Sequence, residues 1–138
     1  MLIFPDNWQL VPSTNTRVTH CFTVDENKVL ITAGPINIPQ RMKYIQFAQS
    51  MMHQQLLEEK HHIVEENVTV QTLITHNGIG YYFMATDQDW TPGSVDWPYL
   101  LRCMFVGKQM MVELTVLCHD KSSPVIRQAL QLFEQSNI

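Results

Sequence analysis

The sequence predicts an α+β fold, an antiparallel sheet of about six to seven strands with helices packed on both faces. Three observations carry that expectation. Asn77-Gly78 separates two apolar runs, as in a tight hairpin. Gly107-Lys108 separates two more, and the second leads into a helix that opens Ser123-Pro124. Between the first strands and these hairpins, residues 40–60 repeat their apolar positions on a helical period.

The elements follow in order. Residues 4–11 read as a short edge strand, interrupted by Pro5 and ended by Pro12, because proline cannot donate to a ladder. Residues 18–24 and 29–33 form a hairpin across Asp25-Glu26-Asn27-Lys28, placing Val24 opposite Val29 and Phe22 opposite Ile31. In 40–60, Ile45, Ala48, Met52 and Leu56 recur at i, i+3, i+7 and i+11, with Tyr44 and Met51 beside them; this is one face of a 3.6-residue period. Pro39 suits the first helical turn, where a missing N–H costs nothing.

Residues 68–75 and 79–86 flank Asn77-Gly78, a pair that supplies the two positive φ angles of a type I′ turn. That turn sets His76 against Ile79, Ile74 against Tyr81 and Thr72 against Phe83, with Val70 and Ala85 continuing the face. Leu73, Tyr82 and Met84 take the other face. Neither face is strongly polar, so both are expected to be covered in part.

In the last hairpin, Gly107 fits the first central position of a type II′ turn. Val106 then faces Gln109, Phe105 faces Met110, Cys103 faces Val112 and Leu101 faces Leu114. The reverse side pairs Arg102 with Glu113 and Met104 with Met111. An opposite-charge pair across strands contributes up to about 1 kcal/mol. The closing helix takes Ser123 as its cap and Ile126, Ala129, Leu130 and Phe133 as its apolar stripe.

A chain of 138 residues, 45% apolar and 16% charged, is expected to form one globular domain over 1–138. Nucleic acid is excluded as a partner. Nine scattered cations and a net charge of −4 cannot release the counterions that such binding needs. No run of 18 apolar residues spans a membrane, and Met1-Leu2-Ile3-Phe4-Pro5 lacks a signal-peptide pattern. The expected location is cytoplasmic for a full native chain, and periplasmic or envelope if a leader was removed. Cys21, Cys103 and Cys118 form no CxxC pair and read as buried small hydrophobes. Cys103 and Cys118 are out of step across their hairpin, so no disulfide joins them.

Chemistry-bearing residues are scattered. His53, His61 and His62 lack zinc spacing, although Glu58 and His62 stand i, i+4. His20, His76 and His119 are isolated strand or turn histidines. Cys118-His119 and His20-Cys21 point to opposite faces of a strand, so neither makes a thiol–base pair. No GxSxG, HExxH or phosphate-cradling glycine loop is present. No catalytic residue, metal or cofactor is assigned, and the expected protein is not an enzyme.

The longest connection, 86–98, holds Asp87, Asp89 and Asp96 beside Trp90 and Trp97. Long loops are often functional, and tryptophans anchor interfaces because they bury large area at low entropy cost. The rival reading folds both tryptophans back over the sheet edge. Asp87-Gln88-Asp89-Trp90-Thr91 breaks the calcium-loop pattern. Six of the eight methionines, Met42, Met51, Met52, Met104, Met110 and Met111, concentrate on the main helix and the final hairpin. They read as core filling, unless Met104 and Met111 are exposed and line a groove for an apolar segment.

The element order resembles the PsbP/DcrB-like superfamily of α/β/α sandwiches, which takes in bacterial relatives. Phe4-Pro5 with Trp8, the inserted amphipathic helix, Gly80-Tyr81-Tyr82-Phe83, the final hairpin and the closing helix carry the likeness. It spans nearly the whole chain. It implies binding to other proteins, as in envelope lipoproteins and effector chaperones of type VI secretion, and no shared catalytic motif. The expected function is therefore a non-enzymatic protein-binding accessory factor of chaperone, immunity or envelope type. The candidate contact residues are Trp90, Trp97, Asp87, Asp89, Asp96, Met104 and Met111, and a homodimer is a further possibility. The alternative is a small-ligand or metal-binding domain with a cleft between helix and sheet.

Overall fold

Among the described residues, period-2 apolar alternation and paired turns give a single seven-stranded sheet, antiparallel throughout, whose strands, counted along the chain, lie side by side in the order first, second, third, seventh, sixth, fifth, fourth. The computed structural model describes residues 2–14 and 16–138, so Met1, on which the leader question turned, lies outside the described residues. The strands are β1 Gln9–Val11, β2 His20–Val24, β3 Asn27–Pro35, β4 Gln71–Thr75, β5 Gly78–Thr86, β6 Tyr99–Val106 and β7 Met110–Cys118. A 3-10 turn, Ile38–Gln40, leads into α1 Arg41–Glu59, and α2 spans Pro124–Gln135. The fold is α+β.

The α1 stripe lies where the periodicity puts it; in α2, Ile126, Ala129 and Phe133 are buried as expected, but Val125 and Leu132 join them and Leu130 is only half-buried. Ala48 and Met52 of α1 are fully buried in a cluster with Tyr81, Phe83, Met104 and Val106, and Ile45 and Leu56 pack at its margin. Val125, Ala129, Leu132 and Phe133 of α2 share a second cluster with Leu101, Phe105 and Leu114. The rings of Phe105 and Phe133 stack at 4.4 Å. Side chains along β6 alternate between these two clusters. Ser123 caps α2 by accepting from the Val125 N–H.

All three predicted registers need correction, and each is displaced by two residues. Val24 pairs with Asn27, and Phe22 with Val29. The turn is Asp25-Glu26 alone, with φ of 49° and 68°, the two positive angles of a type I′ turn. Asn27 enters the strand because its side chain ties down the approach to α2, accepting from the His119 N–H at 3.0 Å and donating to Ser123 Oγ at 3.2 Å.

In the second hairpin Ile74 pairs with Ile79 and Thr72 with Tyr81, so the turn centres on His76-Asn77. Thr75 Oγ1 accepts from the N–H groups of Asn77 and Gly78, each at 3.2 Å. Gly78 is not there for a positive φ. A Cβ on it would lie 2.1 Å from the Val106 carbonyl oxygen.

In the third hairpin Val106 pairs with Met111, and Arg102 faces Thr115 rather than Glu113. The expected Arg102–Glu113 pair does not form. Gln109 donates to the Ile138 carbonyl at 2.9 Å, and a Cβ on Gly107 would meet that same oxygen at 2.7 Å. Ile138 thus shapes this turn. Three strands also start later than expected: β1 at Gln9, β2 at His20 and β4 at Gln71. Phe4 and Trp8 still serve the core through ring contacts with Phe22 at 4.6 and 5.4 Å.

Candidate functional site

The connection from β5 to β6 is built from its own polar groups. Asp87 N–H donates to the Pro98 carbonyl at 2.8 Å and closes its neck. Inside, Asp89 N–H donates to Asp87 Oδ1 at 2.9 Å, and Asp96 N–H to Ser94 Oγ at 3.1 Å. The Trp90 indole N–H crosses the loop to the Asp96 carbonyl at 2.8 Å. Gly93 takes a positive φ of 92° at the tip, beyond easy reach of other residues. Val95 is left 88% exposed.

Trp97 turns back. Its indole N–H donates to the Glu26 carbonyl at 2.7 Å, Lys28 Nζ stands 5.9 Å from its ring centre, and His119 lies beside it. The two tryptophans therefore have separate roles: Trp90 braces the loop and Trp97 fastens it to the β2–β3 turn.

The segment after α1 holds the loop from the other side. Gln88 N–H donates to the His62 carbonyl at 3.0 Å, and Gln88 Nε2 to the His61 carbonyl at 2.7 Å. His62 Nδ1 lies 3.6 Å from Asp89 Oδ2. Glu65 accepts from both the hydroxyl and the N–H of Thr86, and Lys121 Nζ approaches it at 3.4 Å. Burial works to raise the Glu65 pKa, but these hydrogen bonds win and hold it below the usual carboxylate range.

A cleft of about 350 Å³ opens where the end of α1 overhangs the sheet, with Glu59, Asp87, Asp89, Trp97 and Arg102 in its lining. Leu100 and Leu117 supply apolar wall there. Arg102 Nη1 donates to Gln55 Oε1 at 3.2 Å, and its Nε is buried with no partner. On the other side of Trp97 a second concavity, about 550 Å³, runs over Val18, Cys21, Lys28 and Leu30.

The predicted contact residues divide. Asp87, Asp89, Trp90, Asp96 and Trp97 come together in or beside one loop. Met104 does not join them: it is 3% exposed, packed with α1, and Met111 is half-buried at the edge of the same cluster. Met104 fills core, and Met111 packs against that core's edge. Among the described residues, no group of histidine, cysteine and carboxylate side chains is placed to hold a metal. All three cysteines are free and buried. Burial pushes the Cys118 thiol up to about 11, and Cys103 well above its ordinary value, so neither forms thiolate readily. Sequence reasoning missed Arg102 as a cleft residue. The signal was available: it is the lone charge in the apolar strand Tyr99–Val106.

No family model matches the chain, and no curated protein sequence does. Solved structures do. Cyanobacterial PsbP (CyanoP) from Synechocystis sp. PCC 6803 superimposes with a TM-score of 0.54 at 8% identity, over 94% of this chain and 80% of that one. LpqN, involved in cell envelope biogenesis of Mycobacterium tuberculosis, gives a TM-score of 0.53 at 12% identity, over 99% and 80%. Identity this low carries the architecture and nothing of the chemistry. No helix among the described residues is long and apolar enough to cross a membrane. In fold, this chain is PsbP-like.

Proposed function

We propose that this protein is a non-enzymatic accessory factor that binds another protein through the loop between β5 and β6. The carrying observation is that loop's construction. It is braced by the Trp90–Asp96 bond while Val95 projects at 88% exposure. A pre-ordered loop costs less entropy on docking than a floppy one. A three-layer arrangement supports the reading. With α2 on one face and α1 over β5 and β6 on the other, Leu30 and Leu117 remain only half-buried, each lining a concavity together with Trp97. This strip replaces Met104 and Met111 as the sheet's share of the contact. The fold likeness to LpqN, involved in cell envelope biogenesis, supports the envelope type among the accessory roles considered.

Affinity capture from the native organism tests it, with the wild type, Val95→Asp and Trp90→Ala/Trp97→Ala as baits. The wild type is expected to retain a discrete partner that both variants recover at least tenfold less well. A second copy of this chain counts as such a partner and is read by sedimentation. Full recovery by variants with native circular dichroism would show that the loop is not the docking surface. The second reading, a ligand domain with a cleft between helix and sheet, is favoured by one observation, the unpaired Arg102 in the cleft beneath α1.

A further inference from the structure

We propose that the cleft beneath the end of α1 binds a free α-amino acid with an apolar side chain, its carboxylate held by Arg102. This goes beyond the docking reading and does not depend on it.

Arg102 is a half-buried cation, and the carboxylates around its cleft stand outside ion-pair distance of it. Neither the His62–Asp89 nor the Lys121–Glu65 ion pair includes it. Of the five guanidinium N–H groups, one finds an acceptor, and that is the neutral Gln55 amide. The Nε–H is enclosed and meets none. An N–H cut off from water without an acceptor is costly, and the register sets Glu113 against Met104 and not against Arg102. A planar carboxylate matches the guanidinium fork.

The rest of the lining narrows the class. Glu59, Asp87 and Asp89 stand around the same cleft. They outnumber the arginine, so phosphate or a dicarboxylate is repelled. A ligand that brings its own ammonium to those carboxylates is neutral overall and is not. Trp97, Leu100 and Leu117 provide apolar wall for a side chain. The volume of about 350 Å³ lies at the small end of ligand sites. Gln55, holding Nη1 from α1, fixes the fork's orientation.

Calorimetric titration of the full chain with phenylalanine, leucine, phenylalaninamide, 3-phenylpropionate and inorganic phosphate tests this, with tryptophan fluorescence as a second readout. At least one of phenylalanine and leucine is expected to bind. Phenylalaninamide, 3-phenylpropionate and phosphate are expected to bind at least tenfold more weakly than the better amino acid. Arg102→Gln should weaken that amino acid tenfold or more, and Arg102→Lys should fall between. Should Arg102→Gln fail to fold, the ligand series on the wild type decides alone. Failure of both amino acids to bind would overturn the proposal. So would phenylalaninamide or phosphate binding as tightly as the better amino acid, or a folded Arg102→Gln that binds unchanged.

Discussion

Asn77 ties the β4–β5 turn to the end of α2. Its side-chain amide donates to the carbonyls of Phe133 and Ser136 at 3.2 and 2.5 Å, and the residue is 3% exposed. Carbonyls at a helix C-terminus have no partner within the helix, so this amide satisfies acceptors that would otherwise be stranded. Asn77→Ala is expected to cost about 2 kcal/mol, and Asn77→Asp about 3 kcal/mol or more, because the carboxylate puts an acceptor against two acceptors. Urea unfolding at neutral pH checks both; an Asp variant as stable as the wild type would mean the amide donates to neither carbonyl. The sequence marks Asn77-Gly78 as a turn and gets its place nearly right. It does not disclose that the asparagine is spent on a carbonyl 56 residues away. Gly78 misleads for a similar reason: its small size answers the Val106 carbonyl on the neighbouring strand, a contact with no local signature.

At the scale of elements, the three hairpins are each shifted by two residues, and their faces are right nonetheless. Side chains alternate with period two, so a shift of two changes every partner and no facing. The expected sets on β5 hold: Tyr81, Phe83 and Ala85 lie with α1, and Tyr82 and Met84 pack on the other cluster. The stripe of α1 is equally legible, because a 3.6-residue period lies within the helix itself, whereas α2 is read only in part, with the burial of Val125 and Leu132 missed. Turn position depends on what the turn residues bind elsewhere. Asp25-Glu26 shows the cost of such a choice, since both adopt left-handed φ without being glycine. The double substitution Asp25→Asn/Glu26→Gly, which installs the pair that a type I′ turn favours, is expected to raise stability by about 1 kcal/mol. Thermal melts would read this as an upward shift. The Glu26 carbonyl that receives Trp97 belongs to the backbone and persists in the variant.

For the whole molecule, element order is what the sequence conveys best, and it led to the PsbP-like fold at identities of 8% and 12%. The cleft is what it conveys least. Glu59, Asp89, Arg102 and Leu117 meet only after α1, the long loop and two strands are assembled. Global burial also predicts a chemical behaviour. Cys21, Cys103 and Cys118 are buried on different strands, so a thiol reagent such as dithionitrobenzoate should label none of them quickly in the native protein and all of them in urea. Rapid labelling of the native chain would reveal an opening that the packing does not suggest.

The strand order has one more consequence. The first three strands form a meander, the last four form another, and within the sheet only β3 and β7 join them, through the ladder from Lys28–Leu117 to Pro35–Met110. That seam works as a zipper between two sequence-contiguous halves. Any binding event that levers the halves apart must unfasten it along its length, uncovering Val29, Ile31, Leu114 and Val116 together.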